Sequence, residues 1–320
     1  MNTEHQLVAD IGGTNARFAI CEEGTTDLKN IKAYKCDQFG SPLEVIENYL
    51  SDNVISIKSA CLAVAGPVRK KEDIVKLTNN TWNFSRDQVV HRFKLNRLSV
   101  INDFVAAATA TTVIGPDDLL TICTGPRLDL EQQRCVLGPG TGLGVAGMLH
   151  YKGKTIVLST EGGNRSFSPE NEIEDYILRF LRAKLQIVSC EELLSGKGLI
   201  NIYHALCSYH KQTAKYFQAD EISAAALKKK DGVAQKTLHT FFEVLGSFAG
   251  DCALTFGATG GVYIGGGIVP KFHDILLQSK FRERFENTLN YKNYLKNIPT
   301  AIVMHPHPGL LGAAVYLNNI

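Results

Sequence analysis

The stretch VADIGGTNARFAI, residues 8–20, runs from an apolar strand through Gly12, Gly13 and Thr14 into a second apolar strand. A second stretch, VLGPGTGLGVAGML at 136–149, repeats the plan, with Gly140, Thr141 and Gly142 at its turn. Two strand–turn–strand copies predict two related domains. In each, the glycines let backbone N–H groups come close to an anion and the threonine adds a hydroxyl, which is the chemistry of phosphate binding. Each turn by itself is also an ordinary hairpin, since glycine is the usual turn residue. Facing one another, the two would grip a polyphosphate from both sides. The candidate nucleotide contacts are therefore Ala9, Asp10, Ile11, Gly12, Gly13, Thr14 and Asn15 in the first copy and Gly140, Thr141 and Gly142 in the second.

Asp10 ends the first strand two residues before the glycines. A carboxylate there can face phosphates only through a cation and its waters, so Asp10 implies Mg²⁺ held through water. A turn-forming aspartate is the plainer reading of the same residue. VYIGGGIVPKF, residues 262–272, adds a strand, Gly265, Gly266 and Gly267, and a helix expected to open at Pro270. The three glycines remove side chains where an adenine ring would lie against backbone, or they make a tight strand-to-helix turn.

Competing nucleotide motifs are absent. No Lys-Ser or Lys-Thr follows a suitable glycine as a Walker loop requires, apart from an isolated GKT at 153–155. Gly142, Gly144 and Gly147 fit G-x-G-x-x-G, but MLHYKGK follows, too short for the helix of a dinucleotide fold.

Around these motifs, strand and helix patterns alternate. QLVADI, ARFAIC, KAYKC, ACLAVAG and LSVIN read as strands and residues 42–51 and 86–93 as helices, the second with a capping box of Ser85 and Gln88. FVAAATATTVI reads as a helix stopped by GPDD at 115–118, a boundary. RCVLG, LGVAGML and TIVLS follow as strands, then helices from Pro169, Glu191, Gly198 and Gly232. Ser168 before Pro169 reads as an N-cap, and Ser189 with Glu192 as a further capping box.

The 320 residues are 44% apolar, and 34 Lys and Arg stand against 32 Asp and Glu, a formal net charge of +2. That balance supplies no global field for nucleic acid or an anionic membrane. The short charge runs RKKED and KKKD read as solvated loops. The start MNTEHQLVADIG has neither a basic region nor an apolar signal core, and no apolar run is long enough to span a bilayer, so a cytoplasmic location is expected. The eight cysteines never fall as C-x-x-C, and most are expected to be buried thiols. HPHP at 305–308 lacks the Cys or carboxylates of a metal site and reads as a loop.

ADIGGTNAR, LTNNTWNFS, INDF, GPGTGLGVA, EGG with Phe167 and Pro169, LSGKGL after Glu191, GGIVP and PGLLG occur in the order and spacing of one family. From about residue 6 to 317 the chain resembles the bacterial glucokinases, in the sugar-kinase branch of the actin-like ATPase superfamily. The resemblance implies two actin-like ATPase (ribonuclease H-like) α/β domains flanking a cleft. The smaller would be 1–113 plus 303–320, completed by the returning C-terminal helix, and the larger 114–302. It implies ATP-dependent phosphorylation of glucose at its 6-hydroxyl, with ATP and Mg²⁺ required and a homodimer as the assembly.

Asp103, in SVINDFVAAATA at 99–110, matches the family's catalytic aspartate. By itself it reads as a cap of a helix beginning at Phe104, and one side chain can do both. Asn102, Asp103, Glu161 and Glu191 match sugar-binding positions, and Asn79 to Trp82 resembles a further block near the cleft. Where the family has EGGH this chain has EGGN, so Asn164 stands in for a sugar-contacting histidine. A kinase for another hexose is the nearest alternative. A sugar-responsive repressor would need a helix-turn-helix ahead of the first strand, for which residues 1–5 leave no room. A filament-type or chaperone-like ATPase would lack the sugar positions.

Overall fold

The computed structural model describes residues 5–53, 55–69, 71–78, 80–123 and 127–319. The backbone divides into two compact units, Met1–Gly115 with His305–Ile320, and Pro116–Met304.

The first unit contains strands β1 (His5–Ile11), β2 (Asn15–Glu22), β3 (Lys29–Lys35) and β4 (Ile57–Val64), a small hairpin of β5 (Ile74–Lys76) and β6 (Asn83–Ser85), and β7 (Arg97–Asn102). Its main sheet has the order β3-β2-β1-β4-β7. β1 is antiparallel to β2 and parallel to β4, and β4 is parallel to β7. β1 is central and buries Leu7, Val8, Ala9 and Ile11, which is why it reads as a continuous apolar run and not an alternating one. Helix α1 (Pro42–Asn53) contributes Val45, Ile46 and Tyr49 to a core with Leu7, Ile11 and Phe18, and Phe18 stacks on Tyr49 with centroids 5.4 Å apart. Helix α2 (Arg86–Phe93) begins at Ser85, whose hydroxyl accepts the Gln88 N–H at 3.1 Å. Helix α3 (Asp103–Ala110) leaves the end of β7.

The second unit carries β8 (Leu119–Thr121), β9 (Arg134–Pro139), β10 (Leu143–Tyr151) and β11 (Lys154–Thr160). Helices α4 (Glu172–Arg182), α5 (Gly196–Tyr209), α6 (Ala219–Leu227) and α7 (Gly232–Phe256) follow, then β12 (Gly261–Ile264), α8 (His273–Gln278), α9 (Phe281–Phe285), α10 (Lys292–Lys296) and β13 (Thr300–Val303). Its sheet has the order β11-β10-β9-β12-β13-β8. β9, β10 and β11 form an antiparallel meander, and β12 and β13 add in parallel to β9 and to each other. Leaving aside the antiparallel edge strand β8, this is the connectivity of the first unit repeated. The duplication expected from the two Gly-Thr stretches is thus a duplication of sheet topology, and each unit has the actin-like ATPase (ribonuclease H-like) α/β arrangement.

Helix α11 (Pro308–Asn318) returns to the first unit and packs against α3, β1 and β4. Gly312 allows the two helices to meet backbone to backbone, because a Cβ there would lie 1.7 Å from the Ala106 carbonyl oxygen. Among the described residues no helix is long and apolar enough to cross a membrane. All eight cysteines are free thiols, seven of them buried and Cys123 partly so.

Local details depart from the sequence reading where a better partner is available. The helix expected from Pro169 starts at Glu172 and is capped by Asn171 rather than Ser168. The Asn171 amide oxygen accepts the Glu174 N–H, and Glu174 returns bonds to the Glu170 N–H and the Asn171 amide. Ser189 makes no cap bond. Residues Cys190–Glu192 form a single 3-10 turn, and Ser195 caps α5 by accepting the Gly198 N–H at 3.0 Å. At Pro270 the chain makes a 3-10 turn, Val269–Phe272, before α8. Helix α6, not anticipated, is started by a capping box of Gln218 and Glu221.

Candidate active site

In the first unit β1 turns into β2 within four residues. The Gly12 N–H donates to Asn15 O at 2.9 Å, and the register pairs Ile11 with Ala16. The tip carbonyls are all engaged: Gly12 O with the Cys36 thiol at 3.6 Å, Gly13 O with the Asn80 amide at 3.1 Å, and Thr14 O with the Cys36 N–H at 2.9 Å. Among the described residues, the N–H groups of Gly13 and Thr14 and the Thr14 hydroxyl have no intramolecular partner. A hairpin that spends its acceptors on the protein and keeps its donors leaves N–H and O–H groups able to bond an anion. Cys36 was not singled out from the sequence, and Asn80 only as a member of the Asn79 to Trp82 block. The only signal was Asn80's place in LTNNTWNFS. Asn79, in the same block, lies outside the described residues.

Asp10 is half-buried beside this hairpin. Arg17, its direct cross-strand neighbour, lies 3.6 Å away, and a Cβ on Gly309 at the start of α11 would fall 2.7 Å from the Asp10 carboxyl carbon. Burial pushes the Asp10 carboxyl up from its usual range, against the opposing pull of Arg17. Among the described residues no three His, Cys, Asp or Glu side chains are placed to cage a metal ion. A single under-compensated carboxylate fits Mg²⁺ that keeps most of its waters and takes its remaining ligands from phosphates.

Two strands along the same sheet, β7 ends level with β1: Ile11 pairs with Val64, and Val64 with Asn102. Asn102 and Asp103 therefore emerge at the carboxyl ends of the parallel strands, where open α/β sheets bind ligands. Asn102, and not Asp103, is the cap of α3. Its amide oxygen accepts the N–H groups of Phe104 and Val105 at 2.9 and 3.2 Å. The shift of one residue follows from reach, because the capping side chain must precede the first helical residue, which is Asp103. The Asn102 NH₂ donates to Gly66 O at 3.1 Å and to Asp103 Oδ1 at 2.9 Å, and that oxygen also accepts the Phe104 N–H. Asp103 is thus fixed by its neighbour on the strand and by the first free N–H of its own helix.

In the second unit β9 turns into β10 one residue more tightly. Pro139 pairs with Leu143, and the Gly140 N–H donates to Gly142 O at 2.7 Å. Thr141 is exposed, and among the described residues its N–H and hydroxyl have no intramolecular partner. Gly265–Gly267 lie against this hairpin. The Gly265 N–H donates to Leu137 O, a Cβ on Gly138 would fall 2.4 Å from the Gly265 carbonyl carbon, and Gly266 takes a φ of +81°, where a Cβ would fall 2.3 Å from Pro139 O. Neither strand end tolerates a side chain at that crossing, which explains glycine in both motifs.

Glu191 stands on the same hairpin. Its Oε2 accepts the Leu143 N–H at 2.8 Å, and a Cβ on Gly142 would meet that oxygen at 2.5 Å. Glu161 precedes a 3-10 turn, Gly162–Asn164, that packs on the turn holding Glu191. Partial desolvation, then the charge of Glu191, push the Glu161 carboxyl up. Gly163 lies so close to Leu143 that a Cβ would fall 2.0 Å from its carbonyl oxygen, which locks this turn to the start of β10. Asn164 is exposed, its N–H bonded to Glu161 O at 3.0 Å and its side-chain amide without an intramolecular partner among the described residues. The second unit therefore gathers Gly140–Gly142, Gly265–Gly267, Glu161, Asn164 and Glu191. The first gathers Asp10, Gly12–Asn15, Asn102 and Asp103 along one sheet end.

The glucokinase family model matches residues 7–320. The chain belongs to the glucokinase family. A glucokinase from Hahella chejuensis is 38% identical over 317 residues, which cover 99% of this chain and 98% of that one. Among solved structures, glucokinase from an Antarctic psychrotroph superposes with a TM-score of 0.86 at 37% identity, covering 99% of each chain. Glucokinase from Balamuthia mandrillaris, solved in complex with glucose, has a TM-score of 0.83 at 20% identity, covering 99% of this chain and 94% of that one, and shares the fold.

Proposed function

We propose that the chain transfers the γ-phosphoryl group of ATP to the 6-hydroxyl of glucose, with Asp103 as the base. Family membership over nearly the whole chain supports the activity. The observation that carries the assignment of the base is the fixed carboxylate at the junction of β7 and α3, held through Oδ1 by Asn102 and the Phe104 N–H. Asp103 orients the 6-hydroxyl and takes its proton as the sugar oxygen bonds to phosphorus and the bridging oxygen leaves with ADP. A loose phosphoryl-transfer transition state asks for little early deprotonation, so a carboxylate is a sufficient base. The free donors of Gly13, Thr14 and Thr141 restrain the phosphates, and Gly265–Gly267 offer adenine a surface free of side chains. Asp10 would hold Mg²⁺ through water, and the ion would supply positive charge against the triphosphate. Glu161, Asn164, Glu191 and Asn102 receive the sugar hydroxyls. The enzyme works in the cytoplasm as a homodimer, for which the exposed apolar face of Leu149, Tyr151, Ile156 and Leu158 on β10 and β11 is a suitable surface.

Thr14→Val and Thr141→Val test the nucleotide half of this reading. Each removes a hydroxyl at nearly constant volume, and each is expected to raise KM for ATP or lower kcat several-fold while glucose binding is retained. Both variants behaving as the native chain would remove the two-hairpin model.

Asn164→His tests the sugar half. The amide is shorter than the family histidine, and one neutral hydrogen bond in a partly wet site is worth about 0.5–1.5 kcal/mol. Histidine is expected to lower KM for glucose by a few-fold to about tenfold, with kcat unchanged, because the contact acts equally in ground and transition states. Kinetics with glucose and mannose check this. Identical constants for both sugars would show that residue 164 does not touch the hexose.

A further inference from the structure

The segment Glu191–Gly196 holds the second hairpin at both of its ends. The Glu191 Oε2 takes the Leu143 N–H at 2.8 Å on one side, and the Gly196 N–H donates to Gly140 O at 2.9 Å on the other. Thr141 and Gly142 are suspended between these two bonds. Ser195 stiffens the bracket: its hydroxyl donates to Glu191 O at 2.8 Å and accepts the Gly198 N–H that opens α5. Ser195 is itself 1% exposed, so it touches neither solvent nor substrate. The other carboxylate oxygen of Glu191 has no intramolecular hydrogen bond among the described residues, and its charge is felt by Glu161. A residue whose only task was to receive sugar would not need to place one carboxylate oxygen on the Leu143 N–H, against Gly142 of the hairpin.

We propose that Glu191 serves both substrates at once, one oxygen setting the position of the nucleotide hairpin through Leu143 and the other presented to the hexose, with Ser195 as its positioning residue. The inference rests on the assignment of Glu191 to hexose and of Gly140–Gly142 to ATP. Its distinguishing consequence is that a hexose residue governs nucleotide affinity even when no hexose is present. A carboxylate that only bound sugar would leave that affinity untouched.

The experiment is calorimetric titration of the full chain with Mg²⁺ and the non-hydrolysable analogue AMPPNP, without sugar. Glu191→Ala removes the acceptor for the Leu143 N–H and is expected to weaken AMPPNP about threefold to tenfold. Glu191→Gln keeps an oxygen for that N–H, so its AMPPNP affinity should stay within about twofold of the native value while its KM for glucose rises. Ser195→Ala, at a buried side chain, should weaken AMPPNP in the same direction as Glu191→Ala, and it keeps the test open should the alanine at 191 fail to fold. Native AMPPNP affinity in folded Glu191→Ala, or in Ser195→Ala should the first not fold, overturns the proposal. Weakened AMPPNP binding in Glu191→Ala together with a native glucose KM in both Glu191 variants overturns the hexose assignment instead, so the two failures are distinguishable.

Discussion

Asp103→Asn should turn glucose over at least about a hundredfold more slowly than the native chain while still binding it. The hydrogen bonds around residue 103 make this a clean substitution. Oδ1 accepts from the Asn102 amide and from the Phe104 N–H, and neither donor can be exchanged for an acceptor. An asparagine at 103 must therefore turn its carbonyl oxygen toward them and its NH₂ the other way. The side chain keeps its place, and α3 keeps its cap because that cap is Asn102. What is lost is an acceptor for the proton of the 6-hydroxyl, and an NH₂ in its stead can only donate. Steady-state kcat together with equilibrium glucose binding decides the matter. Turnover near the native rate would mean that Asp103 contributes only to the start of α3. A parallel loss of glucose binding would mean that its charge holds the sugar and is not specific to the transfer step.

The elements nearest the chemistry were legible because their signals are local. Gly12–Thr14 and Gly140–Gly142 sit between apolar runs of strand length, and the alternation of strands with helices along the chain carries the repeated sheet order. Cap positions were legible only in part. Ser85 caps α2 as read, without, among the described residues, the return bond from the Gln88 side chain that a capping box needs, whereas Ser168 and Ser189 lost to Asn171 and Ser195, whose neighbours supply more bonds. The bonds that support the site were not legible, even where the residues that make them were. Asn80 reaches Gly13 across 67 positions, Glu191 reaches Leu143 across 48, and Gly163 is pressed against the Leu143 carbonyl. Such pairs carry no periodicity. They are decided by which strand ends the sheet brings level, and only the folded chain states that. The buried ion pair of Arg284 with Glu174, 110 positions apart on α9 and α4, belongs to the same class.

The contact of Gly312 with Ala106 is another long-range constraint, and it bears on catalysis. The two residues lie where α11 packs on α3, and a Cβ at 312 would sit 1.7 Å from the Ala106 carbonyl oxygen. That oxygen belongs to helix backbone and cannot step aside as a flexible side chain would, so Gly312→Ala must push the two helices apart. Overpacking of this kind costs about 1–3 kcal/mol, which lowers Tm by roughly 2–12 °C in a unit of this size. The displacement falls on the element that carries the proposed base: Asp103 is three residues before Ala106 on the same short helix, and its Oδ1 accepts the Phe104 N–H of that helix. A misplacement of about 1 Å at a reacting group is worth on the order of a hundredfold in rate. Gly312→Ala is therefore expected to lower kcat far more than its loss of stability explains when assayed well below Tm, with KM for ATP nearly unchanged. Gly115→Ala is the matched control, since a Cβ there meets nothing within 4 Å and its effect on both quantities should be small. Thermal unfolding and kcat measured on the two variants separate the possibilities. A lowered Tm with native kcat would mean that α3 stays in place and α11 alone yields, which would release Gly312 from any part in positioning Asp103.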